Sequence, residues 1–201
     1  MNNYEYIVAS LPDICSGWKF ADGTPEDYIE QITSQCSAQD NETIAFLQDG
    51  LKGDSLNCEF YRKAFSHKNR FIREYFLFDL NVRNAKVRFL NKALGRDAER
   101  DVLPLDGGEF EEGGLLEAVL SESDLLAREK GLDDLMWDKI DSLTVFHYFD
   151  IDVILGFIAK LSIVERWYRL DETNGKEMFK KLVDEVRGTF IGVEFHPQAE
   201  N

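Results

Sequence analysis

The chain has 201 residues, of which 44% are hydrophobic, 12% aromatic and 30% charged. This composition is too apolar for a disordered chain, and the length predicts a single domain over residues 1–201. Asp and Glu outnumber Lys and Arg by 38 to 23, which gives a net charge of -15. Proteins bind nucleic acids and anionic membranes largely through positively charged side chains. Because this chain is strongly acidic, we expect neither to be a partner.

Residues 62–73 form a basic cluster in a chain whose net charge is negative. It comprises Arg62, Lys63, His67, Lys68, Arg70 and Arg73. A phosphate contact and a solvated helix face both explain such a cluster, and we favour the solvated face.

Cysteine spacing and hydropathy predict a cytoplasmic protein. Cys15, Cys36 and Cys58 are more than twenty residues apart, which fits inert thiols better than disulfides or a zinc site. The N-terminal residues lack the basic start and the apolar run of a signal peptide. No stretch reaches the roughly eighteen apolar residues of a membrane span, so we expect no direct membrane insertion.

The first predicted elements precede residue 58. Alternating apolar residues at 4–11 predict a short strand. Thr24 and Pro25 predict the start of a helix that ends near residue 36. Ser37 can cap a further helix that ends near Gly50.

Residues 60–94 contain neither Gly nor Pro and predict one long helix. Two apolar rows run along it, one made of Phe71, Tyr75, Phe78, Val82, Ala85, Phe89 and Ala93, the other of Ile72, Phe76, Leu80, Val87, Leu90 and Leu94. This apolar arc is wider than the stripe of a surface helix. We therefore predict a mainly α fold, a helical bundle around one long central helix with neighbours on two sides.

Polar residues on the same helix also have helical spacing. Glu74, Asn81, Asn84, Arg88 and Asn91 form one line, and Asp79 can pair with Arg83 four residues later. Polar groups beside so wide an apolar surface need partners. We expect these residues to cap or cross-link neighbouring helices, with contact to a partner protein as the alternative.

Beyond the long helix, an exposed, acidic, Gly-rich loop is predicted at about 96–114. Its glycines do not form a phosphate-binding loop, because acidic residues surround them and the P-loop lysine is missing. Residues 115–130 predict a helix that can break at 121–123 and that Gly131 terminates. A short helix at 133–143 follows.

The last third of the chain predicts two more helices. Asp150 can cap a helix over 151–170, on which Glu165 and Arg169 can pair. Residues 176–187 predict an amphipathic helix. The residues after Gly188 can begin as a strand, which would form a small strand pair with residues 4–11.

Catalytic motifs are scarce, and we predict neither a cofactor nor a metal. The residues three positions before the histidines are Ala64, Thr144 and Val193, so the Glu-x-x-His elements of a di-iron bundle are absent. An alternative function is a small-molecule enzyme or binding protein with a site near His147 and Asp150. We expect the intervening aromatic residues, Tyr148 and Phe149, to pack in the core.

Three stretches of sequence resemble an uncharacterised bacterial family whose genes accompany those of V/A-type rotary ATPases. They are YEYIVASLPDI, EYFLFDLNVRNAKVRFLNKALGRD and DIDVILGFIAKLSIVERWYRLDETNGKEMFKKLVDEVR. A second set of residues is similar to the helical C subunit of those ATPases, called d in eukaryotes, which lies between the membrane rotor ring and the central stalk. That set is Asp79, Asn81, Arg88, Ile154, Leu155, Lys160, Glu165, Gly175 and Lys176.

The resemblance implies a non-enzymatic helical subunit or accessory protein of a V/A-type rotary ATPase, docking between the stalk and the membrane rotor. ATPase subunits are the implied partners, and the implied location is peripheral at the inner membrane. The candidate packing or contact residues are Asp79, Asn81, Asn84, Arg88, Glu165 and Lys176. The chain is much shorter than the C subunit, which is built from three helical units.

Overall fold

The computed structural model describes residues 4–15, 24–108 and 110–169, which form eight α-helices and no strand. The helices are α1 (Glu5–Ser10), α2 (Pro25–Thr33), α3 (Ala38–Leu51), α4 (Cys58–Phe65), α5 (Arg70–Ala93), α6 (Gly113–Leu120), α7 (Leu125–Thr144) and α8 (Ile151–Arg169). The mainly α prediction is confirmed. The chain divides into two compact units, Met1–Val164 and Glu165–Asn201, and the single-domain interpretation stays a prediction.

α5 is the central helix of the first unit because its apolar residues cover two faces. On one face, Phe76 packs edge-on against Phe46 of α3 and Phe60 of α4, with ring centroids 6.1 and 4.9 Å apart. On the other face, Phe78 and Val82 belong to a buried cluster with residues of α6 and α7. Those residues are Leu116, Leu120 and Leu132. The predicted central helix with neighbours on two sides is confirmed.

α8 packs antiparallel to α7. A Cβ atom at Gly156 would lie only 2.7 Å from Thr144 Cγ2, so a side chain there would prevent the two helices from approaching as closely as they do. Four residues further along, Lys160 donates to Asp141 over 2.5 Å. The apolar face of α8 is fully enclosed, with Ile154 and Leu155 at 0% exposure.

Two helix starts agree with their sequence signals. The Thr24 hydroxyl accepts from the Asp27 amide over 3.3 Å, and the Asp27 carboxylate accepts from the Thr24 amide over 2.7 Å. Ser37 accepts in the same way from the Asp40 amide over 3.2 Å. These side chains satisfy amides that the first turn of a helix leaves without a partner.

The strand predicted at 4–11 is wrong, because these residues form α1. A strand needs a neighbouring strand for its backbone groups, and the described residues contain none. Tyr4 instead fixes the segment to the bundle: its amide donates to the Phe149 carbonyl over 2.6 Å and its hydroxyl donates to Asp40. The other half of the predicted strand pair, after Gly188, lies outside the described residues.

The single helix predicted over 60–94 is also wrong, because α4 and α5 are separate. Asn69 ends the continuity: its side chain accepts from the Ile72 amide over 3.0 Å and so caps α5, while its own amide donates to His67 Nδ1 over 3.1 Å. The break allows α4 to fold back onto α5. α5 alone has 24 residues, which is about 36 Å at 1.5 Å per residue.

Gly131 does not terminate a helix, contrary to prediction, and α7 continues through it to Thr144. A Cβ atom at Gly131 would lie 2.8 Å from Val119 Cγ1, so the glycine permits close packing of α6 on α7. The predicted break at 121–123 is confirmed, and Asp124 caps the new helix by accepting from the Leu126 amide over 3.0 Å.

Candidate functional site

The polar line of α5 binds the loop that follows it, residues 96–108, which we call the acidic segment. Asn84 is buried, and its side chain forms two hydrogen bonds with the backbone of Leu103: Nδ2 donates to the carbonyl over 3.1 Å, and Oδ1 accepts from the amide over 3.0 Å. One turn earlier, Asn81 Nδ2 donates to the Gly107 carbonyl over 2.9 Å. Asparagine amides can satisfy irregular backbone because each offers both donors and acceptors.

Further along α5, the same line contacts earlier residues of the acidic segment. Arg88 Nε and Nη2 donate to the two carboxylate oxygens of Glu99 over 2.8 and 3.0 Å. Asn91 Nδ2 donates to the carbonyls of Arg100 and Ala98 over 2.6 and 3.3 Å. The acidic segment therefore runs antiparallel along α5, and the partner of the polar line is a loop of the same chain.

Asp79 lies outside this line, in a small polar cluster between α4 and α5. Its Oδ2 accepts from the Tyr61 hydroxyl over 2.5 Å and from Arg83 Nε over 2.9 Å, so the predicted pair with Arg83 is confirmed. Burial raises the pKa of the Asp79 carboxyl, and the favourable contacts with Arg83 and Tyr61 only partly oppose this effect. Burial, together with the Asp79 charge, raises the pKa of Tyr61 as well.

The raised pKa of Asp79 predicts a specific pH dependence of stability. The folded state binds the proton more tightly than the unfolded state, whose carboxyl titrates at about pH 4. Proton binding at Asp79 therefore stabilises the folded state. This stabilisation is complete below the pKa of the unfolded carboxyl and is lost as the pH rises through the folded-state pKa. We expect the difference in free energy of unfolding, wild type minus Asp79→Asn, to fall as the pH rises above about 4, the range of the unfolded carboxyl, measured by urea unfolding.

Tyr61→Phe is the matched control for this pH dependence. It removes a hydrogen bond that lowers the pKa of Asp79, so the fall should extend to higher pH in its background. A difference between wild type and Asp79→Asn that rises with pH would contradict the assigned direction of the shift.

His147 and Asp150 are in contact, and both are held within the fold. His147 Nδ1 lies 2.6 Å from Asp150 Oδ2, while Asp150 Oδ1 accepts from the Asp152 amide over 3.1 Å and so caps α8 as predicted. Asp152 is buried and accepts from Asn69 Nδ2 over 2.6 Å. The network connects the start of α8 to the start of α5, and this favours a structural role for the pair over a catalytic one.

Residues 145–149 form the turn between α7 and α8, which we call the aromatic turn. Phe146 and Tyr148 are 84% and 70% exposed, and Phe149 is 44% exposed. The expected packing of Tyr148 in the core is therefore wrong. His147, between the two exposed rings, takes the inward position and bonds Asp150, which leaves the aromatic residues on either side of it at the surface.

A second set of exposed apolar residues, the leucine end, lies at the opposite end of α5. It consists of Leu90 of α5, Leu94 directly after α5, and Leu125 and Leu126 of α7, which are 44–67% exposed. Contacts between the helices place these residues at one end: Lys86 donates to Glu129 over 2.6 Å, and the Arg128 guanidinium lies 5.2 Å from the Phe89 ring centroid. The prediction that the whole apolar row of α5 packs is therefore wrong at Leu90 and Leu94, which lie at the level where α7 begins.

Two candidate residues lie beyond the first unit. Glu165 bonds Arg169 on α8, so this predicted pair is confirmed. Lys176 lies outside the described residues. Among the residues that the structure describes, no group of three His, Cys, Asp or Glu side chains is arranged to bind a metal ion.

Comparison with known proteins gives one match. Residues 105–189 match a family described as a protein of unknown function, DUF2764. The match begins in the acidic segment and includes α6, α7 and α8. No curated protein and no solved structure is significantly similar to the chain. None of the described helices is long and apolar enough to cross a membrane.

Proposed function

We propose that the chain is a non-enzymatic helical subunit or accessory protein of a V/A-type rotary ATPase, which joins two partner proteins through the two ends of α5. One observation carries the proposal: large apolar side chains are exposed at both ends of this helix. The aromatic turn lies near its start and the leucine end at its last turn. Exposed apolar groups that cluster in this way are typical of protein-binding surfaces.

The helix between the two surfaces is suited to holding partners at a fixed separation. It spans about 36 Å at 1.5 Å per residue, and its side chains pack against α3 and α4 on one face and α6 and α7 on the other. Such enclosure resists bending. The polar line along the same helix binds the acidic segment, which leaves the two ends as the surfaces available to partners.

The sequence resemblance to proteins encoded beside V/A-type ATPases, and to their C subunit, supports the choice of partner. A subunit between stalk and rotor must contact two different surfaces, and two separate apolar ends fit that requirement. On this proposal the protein lies at the periphery of the inner membrane through the complex.

Affinity purification from the native host tests the proposal. A tagged chain should recover stalk and rotor subunits of the rotary ATPase, quantified by mass spectrometry. The double variant Phe146→Ser with Tyr148→Ser should reduce recovery by at least about tenfold, because aromatic anchors at interfaces contribute on the order of 2 kcal/mol each.

Leu115→Ser is the matched control, since Leu115 is 63% exposed on α6, away from both ends. It should leave recovery unchanged, and all variants should retain the wild-type circular dichroism spectrum. Absence of ATPase subunits from the wild-type sample, or equal recovery with the double variant, would contradict the proposal.

A further inference from the structure

We infer that the aromatic turn docks into an apolar pocket of a partner protein whose rim consists of Asp and Glu side chains. The inference rests on the proposed docking function and adds the chemistry of the partner at this end of α5. Its basis is the distribution of charge around the exposed rings.

A basic stretch of the chain, residues 62–73, is joined to the start of α8, just after the aromatic turn. Residues 62–73 contain five of the 23 lysines and arginines and no Asp or Glu. Lys68 and Arg70 are exposed, and neither forms an ion pair with any residue that the structure describes. They flank Asn69, whose side chain bonds Asp152 over 2.6 Å, three residues beyond Phe149.

The turn that presents these cations is fixed in place. Arg73 Nη1 donates to the carbonyls of His67 and Lys68 over 2.7 and 2.9 Å. These bonds determine the backbone course of the turn before α5 without using the Lys68 ammonium group. A partner therefore meets cations at a defined position, which lowers the entropy cost of binding them.

Most acidic groups at this end are turned into the fold. Asp150 binds His147, Asp152 binds Asn69, and Asp40 binds Tyr4. Glu5 and Asp141 are exposed: Glu5 lies next to Tyr6, which is itself 80% exposed, and Asp141, in the last turn of α7, pairs with Lys160. The surface around the aromatic turn is consequently more basic than the rest of a chain with net charge -15.

Local cations on an acidic protein favour a compact acidic partner over an extended polyanion. Charges farther than a Debye length of about 8 Å are screened at physiological salt, so a rim of carboxylates around one pocket interacts chiefly with the cations beside it. An anionic membrane is an extended surface, so it would also approach acidic groups near the turn such as Glu5 and be repelled by them. Phe, Tyr and Arg are, in addition, the residues enriched in the cores of protein interfaces.

Photo-crosslinking from the aromatic turn tests the inference. A benzophenone amino acid replaces Tyr148 in the full-length chain expressed in the native host. We expect a crosslinked peptide from a rotary ATPase subunit that combines apolar residues with several Asp or Glu. Lys68→Glu with Arg70→Glu should reduce the crosslink yield on the order of tenfold through charge repulsion at the rim.

The control variant is Lys52→Glu, which reverses one exposed cation at the residue after α3 and is compared with the single variant Lys68→Glu. It should preserve the crosslink. If Lys68→Glu with Arg70→Glu leaves the crosslink yield unchanged, the inference is overturned and the ATPase proposal stands. A charge-dependent crosslink to an acidic site on a different protein would contradict the ATPase proposal and leave the inference intact.

Two further outcomes would overturn the inference. One is a crosslink to a second copy of this chain or to no protein. The other is flotation of the purified chain with phosphatidylcholine–phosphatidylglycerol vesicles, if Phe146→Ser with Tyr148→Ser abolishes that flotation. This result would identify a membrane as the surface that the aromatic turn binds.

Discussion

Replacing Phe76 with Ala should lower the free energy of unfolding by about 3–5 kcal/mol, the range for removing a fully buried ring. Phe76 is 1% exposed and packs edge-on against three aromatic rings, those of Phe46, Phe60 and Tyr75. Its surroundings cannot easily close over the cavity, because each neighbouring ring is fixed by its own helix. Urea unfolding followed by circular dichroism measures the effect.

The size of this loss depends on how closely α3 approaches α5. A Cβ atom at Gly50 of α3 would lie 2.3 Å from Phe76 Cζ, so the ring directly contacts the α3 backbone. Leu94→Ala on the same helix is the control, because Leu94 is 61% exposed and its truncation should change the free energy of unfolding by less than about 0.5 kcal/mol. Equal effects of the two substitutions would show that the aromatic cluster is not the core of this half of the bundle.

Asn84→Ala should lower the free energy of unfolding by about 1–3 kcal/mol, because it leaves the backbone groups of Leu103 without their partner. Asn84 is 6% exposed and bonds both the amide and the carbonyl of Leu103. The acidic segment should also detach from α5. Limited proteolysis should then cleave within residues 96–108 faster than in the wild type.

Arg88→Ala provides the comparison on the same helix face. Arg88 and Glu99 form two hydrogen bonds, but their side chains are 47% and 63% exposed, and exposed ion pairs contribute little to stability. We expect near wild-type stability and only local loosening near Glu99. If Arg88→Ala releases the segment as fully as Asn84→Ala does, the buried amide is not its main attachment.

The features that the sequence predicts well are those decided by local chemistry. Thr24, Ser37 and Asp150 cap helices because their side chains accept from amides two or three residues away. The two apolar rows of α5 likewise follow directly from helical periodicity. These signals involve only neighbouring residues, so no knowledge of the fold is needed to read them.

The wrong predictions involve contacts between distant residues. Residues 4–11 alternate like a strand but form α1, attached through Tyr4 to Phe149. Glycine often ends a helix, but Gly131 lies inside α7, where the absence of a side chain leaves room for Val119. The break at Asn69 is an exception, because its cap on α5 is local; residues 60–94 contain neither Gly nor Pro, and this favoured one helix although Asn is among the residues preferred at helix caps.

In the candidate site, too, the local features could be predicted from the sequence and the long-range contacts could not. The spacing of Asn81, Asn84 and Arg88 correctly places them on one line of α5, but their partner, the acidic segment, becomes visible only in the fold. The exposure of Phe146 and Tyr148 is also a property of the fold, because a hydrophobic sequence before a buried helix normally predicts packing.

Photo-crosslinking from both ends of α5 in the native host tests the proposed two-ended docking function most directly. Photoreactive amino acids would replace Tyr148 in the aromatic turn and Leu126 at the leucine end, in separate full-length chains. If the proposal is correct, the two positions capture two different subunits of one rotary ATPase. Capture of the same subunit from both positions, or of no ATPase subunit from either, would contradict it.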